Sequence, residues 1–273
     1  MNWRSTARDW APPALLRAVR TVRGRGLRFG GRPRDWAAAL AASTGYDASL
    51  IVERVAASSR AVLAGQGAYE RDSVVFQEPA YPFPLVAALL GSALKCGGAL
   101  SVIDFGGSLG STYRQCRPLL DGVRPLHWHV VEQPLFVRAG QREFATDELH
   151  FDAALSDACS ARTPHLVLAS SVLQYLPSPW QMLDELEGAG ARHLVIDRAP
   201  LTPAPDDRLC IQHVPADIYP ASYPCWLLSR EKLLTRLASR WRLVCEYPAL
   251  DGAWRTEDGQ PFEFRGFTFE RIA

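Results

Sequence analysis

The sequence predicts an α/β fold with a helical region ahead of the sheet, on three observations. The stretch 100–110, LSVIDFGGSLG, is an apolar run that ends in Asp104 and passes at once into a glycine-rich turn. A second apolar run, HWHVVEQP, carries Glu132 at its end. From residue 100 onward short β-branched runs alternate with longer amphipathic stretches, whereas the preceding residues are rich in alanine and helically periodic.

In chain order, APPALLRAVRTV at 11–22 reads as a short helix started by Pro12 and Pro13, its polar positions filled by arginine. Such a helix suits a solvated arm or one packed on the domain, with a membrane surface left open. GRGLRFGGRP reads as a flexible basic turn. DWAAALAAST and ASLIVERVAASSRAVLAG read as two helices split at Gly45, the second offering Leu50, Ile51, Val55, Val62 and Leu63 to the core. Residues 73–81 read as irregular, and Pro84 opens the helix PLVAALLGSAL. Strands are expected at 100–105, 127–132, 165–169, 193–197 and 241–247, with a short one from 149; helices are expected near 111–120, 134–142, 180–189 and 230–239. PFEFRGFTFERI alternates apolar and polar residues around Gly266, as one or two antiparallel edge strands do. The division expected is a basic arm and helical cap over 1–95 and a cofactor-binding α/β domain over 96–273, with a substrate-loop insertion near 200–228.

Composition narrows the function. With 273 residues, 48% of them apolar, the chain can build a substantial core. Its formal net charge of +1 gives no global attraction to polyanions, although nine arginines lie between Arg4 and Arg34 against Asp9 and Asp35. No nucleic-acid recognition module accompanies that cluster, so nucleic acid is not expected as a partner. The six cysteines form no CxxC pair and suit reduced thiols in the cytoplasm. The absence of an apolar signal core and of eighteen consecutive apolar residues argues against a signal peptide and a transmembrane helix. The six histidines form no HExxH motif, and no metal is expected. A homodimer through the helical region is left open, without a heptad to support it.

Strand, glycine turn, helix, strand, acid is how an α/β sheet holds an adenosine-containing cofactor. Gly106 and Gly107 allow a tight turn after Asp104, and Gly110 allows close approach at the next helix. There is neither GxGxxG for a dinucleotide nor GK[ST] for a P-loop. An acid before the glycines suits a cationic amino-acid group, which favours S-adenosylmethionine over NAD. Asp104 is then the candidate for the cofactor's ammonium side, directly or through water, and Glu132 for its ribose hydroxyls.

On these residues, and on GRPRDWAAALAASTGYD, FQEPAYPFPLVAALL, LVLASSVLQYLPSP and FRGFTF, nearly the whole chain resembles a class I S-adenosylmethionine-dependent methyltransferase. It is similar to a bacterial methyltransferase family of polysaccharide and secondary-metabolite clusters. The resemblance implies a Rossmann-like class I methyltransferase sheet. Ser108 stands where the class commonly has a middle glycine. The resemblance also brings Ser170, Ser171, Gln174 and Tyr175 towards the sulfonium, where the face of a tyrosine ring attracts a cation.

The acceptor cleft should open at the carboxyl ends of the strands. Asp197 and Arg198 end one strand. The connection PDDRLCIQHVPADIYPASYPCWLLS carries His213, Tyr219, Tyr223 and Trp226, and reads as a lid or binding loop. Glu78 and Tyr81 approach from the helical region. His213, Asp197, Glu78 and Tyr175 are the candidates for catalysis; Tyr81, Gln174, Arg198, Tyr219 and Tyr223 are the candidates for binding the substrate. Three functions stay open: methyl transfer to a small molecule such as a sugar or natural-product intermediate; cyclisation of S-adenosylmethionine to azetidine-2-carboxylate and 5′-methylthioadenosine; and a non-enzymatic cofactor-binding scaffold.

Overall fold

A computed structural model of the chain describes residues 26–45, 48–214 and 221–272. Its centre is a parallel run of five strands: β4 (Leu100–Phe105), β5 (Leu126–Val131), β6 (Leu149–Asp152), β7 (Leu166–Ser170) and β8 (His193–Thr202). They lie in the order β6-β5-β4-β7-β8. Both faces are covered, which is why β4, β7 and most of β8 read as continuous apolar runs. On one face Val102, Trp128, Leu168 and Val195 pack under helices α2 (Ala48–Leu63), α3 (Phe83–Lys95), α4 (Ser111–Cys116) and α5 (Pro134–Glu143). On the other Ile103, Val167, Leu194 and Ile196 pack under α6 (Leu155–Ala161), α7 (Pro179–Gly188) and α8 (Arg230–Leu237).

Strand β12 (Pro261–Arg271) pairs antiparallel with β8, and β11 (Trp241–Arg255) pairs antiparallel with β12. Numbering these seven by their succession in the chain, their order is 3-2-1-4-5-7-6 with the seventh reversed. This is the Rossmann-like class I methyltransferase sheet, with helices α1 (Trp36–Ala41), α2 and α3 forming the N-terminal helical region. Asp35 starts α1 by accepting the Ala38 amide at 2.7 Å, as an N-cap aspartate does. In α2, Val55 is buried as expected, but Leu50 and Leu63 lie 43% and 61% exposed, because Val55 and Ala56 form the stripe that meets the core.

Three expectations are corrected. The stretch 200–228 is largely sheet: β9 (Arg208–Val214) and β10 (Ala221–Ser229) pair antiparallel, and the tip at 215–220 lies outside the described residues. Prolines made this stretch read as a loop. Pro224 is accommodated because on that side β10 pairs with β8 only at Leu228 and Ser229 and with Gly45 only at Ser222, leaving Pro224 itself without a strand partner there. The basic turn contains a strand, β1 (Arg28–Gly30), paired with β9, and it sends Phe29 into a small core with Cys210, Cys225, Leu227, Phe262 and Phe264. The segment taken as irregular contributes β3 (Val74–Phe76), hairpinned to β2 (Tyr69–Arg71). Asp72 and Ser73 turn this hairpin with φ of 51° and 67°, the left-handed pair of a type I′ turn. The proposed helix at 11–22 lies outside the described residues. No described helix is long and apolar enough to cross a membrane.

Candidate cofactor and acceptor site

The glycine turn leaves β4 with φ of 74° at Gly106, 56° at Ser108 and 86° at Gly110. Ser108 therefore adopts the left-handed geometry for which glycine would be easier. Gly106 permits contact with the next crossover, since a Cβ there would lie 2.5 Å from Val172 Cγ2. At Gly107 a Cβ would lie 2.5 Å from the Asp104 carboxylate, so the turn folds directly over that side chain. Asp104 is only 1% exposed. Its Oδ2 accepts a hydrogen bond from Trp128 Nε1 at 3.0 Å, while Oδ1 has no partner. Burial pushes the Asp104 carboxyl up to about 7, against the Trp128 bond, and the Glu132 charge adds to the rise. Asp104 thus lies beneath the turn, where it supports the loop from below.

Glu132 follows β5 and is half-buried. Its Oε2 accepts the Gln133 amide at 2.7 Å, and the Ser108 amide also supports the carboxylate. Burial raises its pKa, and the two amide bonds oppose the rise. The second acid and the glycine turn therefore lie together at the ends of β5 and β4.

At the end of β7, Ser170 Oγ donates to Asp197 Oδ2 and Tyr247 OH donates to Asp197 Oδ1, each at 3.1 Å. Both Asp197 oxygens are thereby engaged. Burial raises the pKa of Asp197, with neighbouring Arg198 the largest opposing influence. Ser171 turns the chain with φ of 54° and accepts Gln174 Nε2 at 3.0 Å, while the buried Gln174 Oε1 has no partner. Tyr175 OH donates to Gln212 Oε1, and Gln212 Nε2 donates to Tyr223 OH, both at 3.1 Å, with the two tyrosine rings edge-to-face. Burial raises the Tyr175 pKa, so the phenol stays protonated as a hydrogen-bond donor.

The remaining candidates make other contacts, although the Arg198 charge acts on both Asp197 and Tyr175. His213 pairs with Ser222, one residue from the Gln212–Tyr223 pair, so it projects from the opposite face of its sheet. Arg198 has φ of 53° and grips both Asp251 oxygens at 2.9 and 3.2 Å and Asp72 at 3.0 Å, which raises its already high pKa further. Glu78 is exposed, and Tyr81 lies against the Phe83 ring near the start of α3. Tyr219 lies outside the described residues. Among the described residues no group of three or more metal-ligating side chains could hold a metal ion.

Sequence reasoning missed Trp128, Gln212, Tyr247, Asp251 and Glu70. All but Glu70 act through non-local contacts that no local spacing announces. Glu70 had a weak signal: the turn-forming pair Asp72–Ser73 precedes the β-branched run Val74–Phe76.

No family model matches the chain, and no curated protein sequence matches it. Among solved structures, the chain is similar to the Burkholderia thailandensis 1,6-didemethyltoxoflavin-N1-methyltransferase with bound 1,6-didemethyltoxoflavin and S-adenosylhomocysteine. That match has 16% identity over 85% of this chain and 95% of the other, with a TM-score of 0.43. It is similar to the N-terminal domain of EvdMO1, solved in the presence of SAH and D-fucose, at 13% identity over 84% and 100% of the two chains, with a TM-score of 0.48. It is also similar to the Synechocystis PCC 6803 magnesium protoporphyrin IX methyltransferase with bound SAM, at 13% identity over 69% and 79%, with a TM-score of 0.42. The fold rests on the strand order itself, and no residue role passes from these proteins to this chain.

Proposed function

We propose that the protein is an S-adenosylmethionine-dependent enzyme that transfers a methyl group to a small molecule, such as a sugar or natural-product intermediate. The observation that carries this reading is the contact between Glu132 and the glycine turn at the carboxyl ends of β5 and β4, where an α/β sheet receives its nucleoside ligand. The residues fit the cofactor: Glu132 is partly exposed for ribose hydroxyls, Gly106 and Gly107 keep the turn low, and Gln174, in the crossover whose Val172 meets Gly106, holds an unpartnered carbonyl oxygen. When bound, the cofactor would supply an electrophilic methyl carbon on a sulfonium.

The protein's own part is mainly placement. Asp197 is held by Ser170 and Tyr247, His213 faces away from Tyr175, and Glu78 lies at the surface, so no candidate base stands ready at the Tyr175 group. Alignment of donor and acceptor, with water kept out by Tyr175 and Tyr223, would carry the rate enhancement. The β2–β3 hairpin, tied by Asp72 to Arg198 on β8, would close this cleft. A cytoplasmic site of action agrees with the free cysteines among the described residues.

One observation favours the cyclisation reading as a second possibility. Asp104 lies under Gly107 and does not present its carboxylate to the cleft, which frees the cofactor's amine from that acid. In that reaction the neutral α-amine attacks the γ-carbon, the carbon–sulfur bond breaks towards sulfur, and the amine loses a proton to solvent. Incubation with S-adenosylmethionine and no acceptor, followed by mass spectrometry, separates the two. Azetidine-2-carboxylate with 5′-methylthioadenosine establishes cyclisation and refutes methyl transfer as the main activity. S-adenosylhomocysteine, formed then or on addition of small-molecule acceptors, establishes methyl transfer.

A further inference from the structure

Two buried side chains beside the glycine turn are each one partner short, and in opposite senses. Glu70, on β2, is 3% exposed. Its Oε1 receives Ser111 Oγ and, at 3.3 Å, Ser59 Oγ; its Oε2 is enclosed and has no partner. Arg114, on α4, spends Nη1 on the Leu109 carbonyl at 2.7 Å and Nη2 on Ser59 Oγ at 2.8 Å. It stands 3.7 Å from Glu70 Oε1, and its Nε has no partner. An enclosed carboxylate oxygen lacking a donor beside an enclosed guanidinium N–H lacking an acceptor is a costly arrangement for a fold to keep for its own sake.

The same pair is complementary to a zwitterion. We propose that Glu70 and Arg114 receive the amino-acid end of the nucleoside cofactor, Glu70 Oε2 taking the α-ammonium and Arg114 Nε the α-carboxylate. This rests on the cofactor reading above and moves the ammonium's partner from Asp104 to the cap. The placement agrees with the topology. Leu109 and Ser111 flank Gly110 at the exit of the turn, so Glu70 and Arg114 adjoin the loop that would carry the methionine portion. The hairpin bearing Glu70 is tied on its other side by Asp72 to Arg198 on β8. In the sheet, β7 and β4 lie on the way from β8 to α4, so the hairpin spans the carboxyl ends of those two strands. Because Oε2 is enclosed, an ammonium reaches it only when this hairpin lifts, which makes the hairpin a gate for the cofactor's amino-acid end.

The test compares ligands that differ only in that end. Calorimetry on the full chain would measure binding of S-adenosylhomocysteine, of its analogue lacking the α-amino group, and of 5′-methylthioadenosine, to the wild type and to Glu70→Gln. A charge-assisted contact predicts that Glu70→Gln weakens S-adenosylhomocysteine by about tenfold or more while changing the other two by less than about twofold. Arg114→Gln is the second variant, expected to spare 5′-methylthioadenosine in the same way, and it serves if Glu70→Gln does not fold. Equal losses for all three ligands, or no loss for any, overturn the assignment and leave the cofactor reading in place. A wild type that binds none of the three overturns both.

Discussion

Replacing Asp104 by Asn would change how stability depends on pH. Asp104 is buried beneath Gly107, and its carboxyl is pushed from 3.8 up to about 7. In the unfolded chain the group loses its proton near 3.8, so between about pH 4 and 7 the native state holds more protons than the unfolded state. Stability from this group is then fully present below pH 4 and is lost as pH rises to 7, by about 1.4 kcal/mol per pH unit and about 4 kcal/mol in all. Asn keeps an acceptor for Trp128 Nε1 and does not titrate. Glu70, Glu132 and Asp197 also have raised pKa values, so the useful quantity is the difference between the two proteins, in which Glu70 and Asp197 cancel and only the coupling between Asp104 and Glu132 is left beside the Asp104 titration itself. Urea unfolding at intervals from pH 5 to 8 should show Asp104→Asn gaining on the wild type by about 1.4 kcal/mol per unit up to pH 7 and levelling off above it. Parallel curves for the two proteins would refute the account of a desolvated carboxyl under the turn.

Three other outcomes are expected. Gly107→Ala puts a methyl group 2.5 Å from the Asp104 carboxylate, so it should cost about 1–3 kcal/mol in thermal unfolding and weaken cofactor binding by calorimetry. Glu132→Gln, at a partly exposed position, should leave the melting temperature nearly unchanged while lowering affinity for adenosine-containing ligands about tenfold, an effect absent for ligands without ribose hydroxyls. Arg198→Met removes the partner shared by Asp72 and Asp251, leaving Asp251 largely buried and without that cation; chemical denaturation should register a loss of about 2–4 kcal/mol, and proteolysis should find the β2–β3 hairpin easier to cut.

The parallel core was legible because β4, β7 and most of β8 are continuous apolar runs and each strand is separated from the next by a helix, whereas β5 and β6 alternate with histidine. The turn after β4 was legible because Gly106 and Gly110 take the left-handed geometry that short-range turn chemistry assigns to glycine. The antiparallel extension was harder. Pro224 in β10 and the polar ends of β9 obscured a period-2 pattern, and the strand around Phe29 is only three residues long. The roles of side chains at the acceptor side were least legible, since they follow from long-range pairing. Asp197 meets Tyr247 across 50 residues, Tyr175 meets Gln212 across 37, and His213 faces away only because of the β9–β10 register.

Strand β8 has a different arrangement on each edge. On one edge β12 runs beside it from His193 to Leu201; on the other β7 pairs with it as far as Asp197 and gives way to β10 at Leu201 and Thr202. The glycine turn follows β4, on the β7 side of that handover, while Gln212 and Tyr223 belong to β9 and β10 beyond it. Under the proposed function, exchanging the segment between Thr202 and Ser229 would alter the acceptor side without re-threading β4, β5 and β7. The same boundary offers protein engineers a graft point where two ends already sit side by side, with Thr202 opposite Ser229.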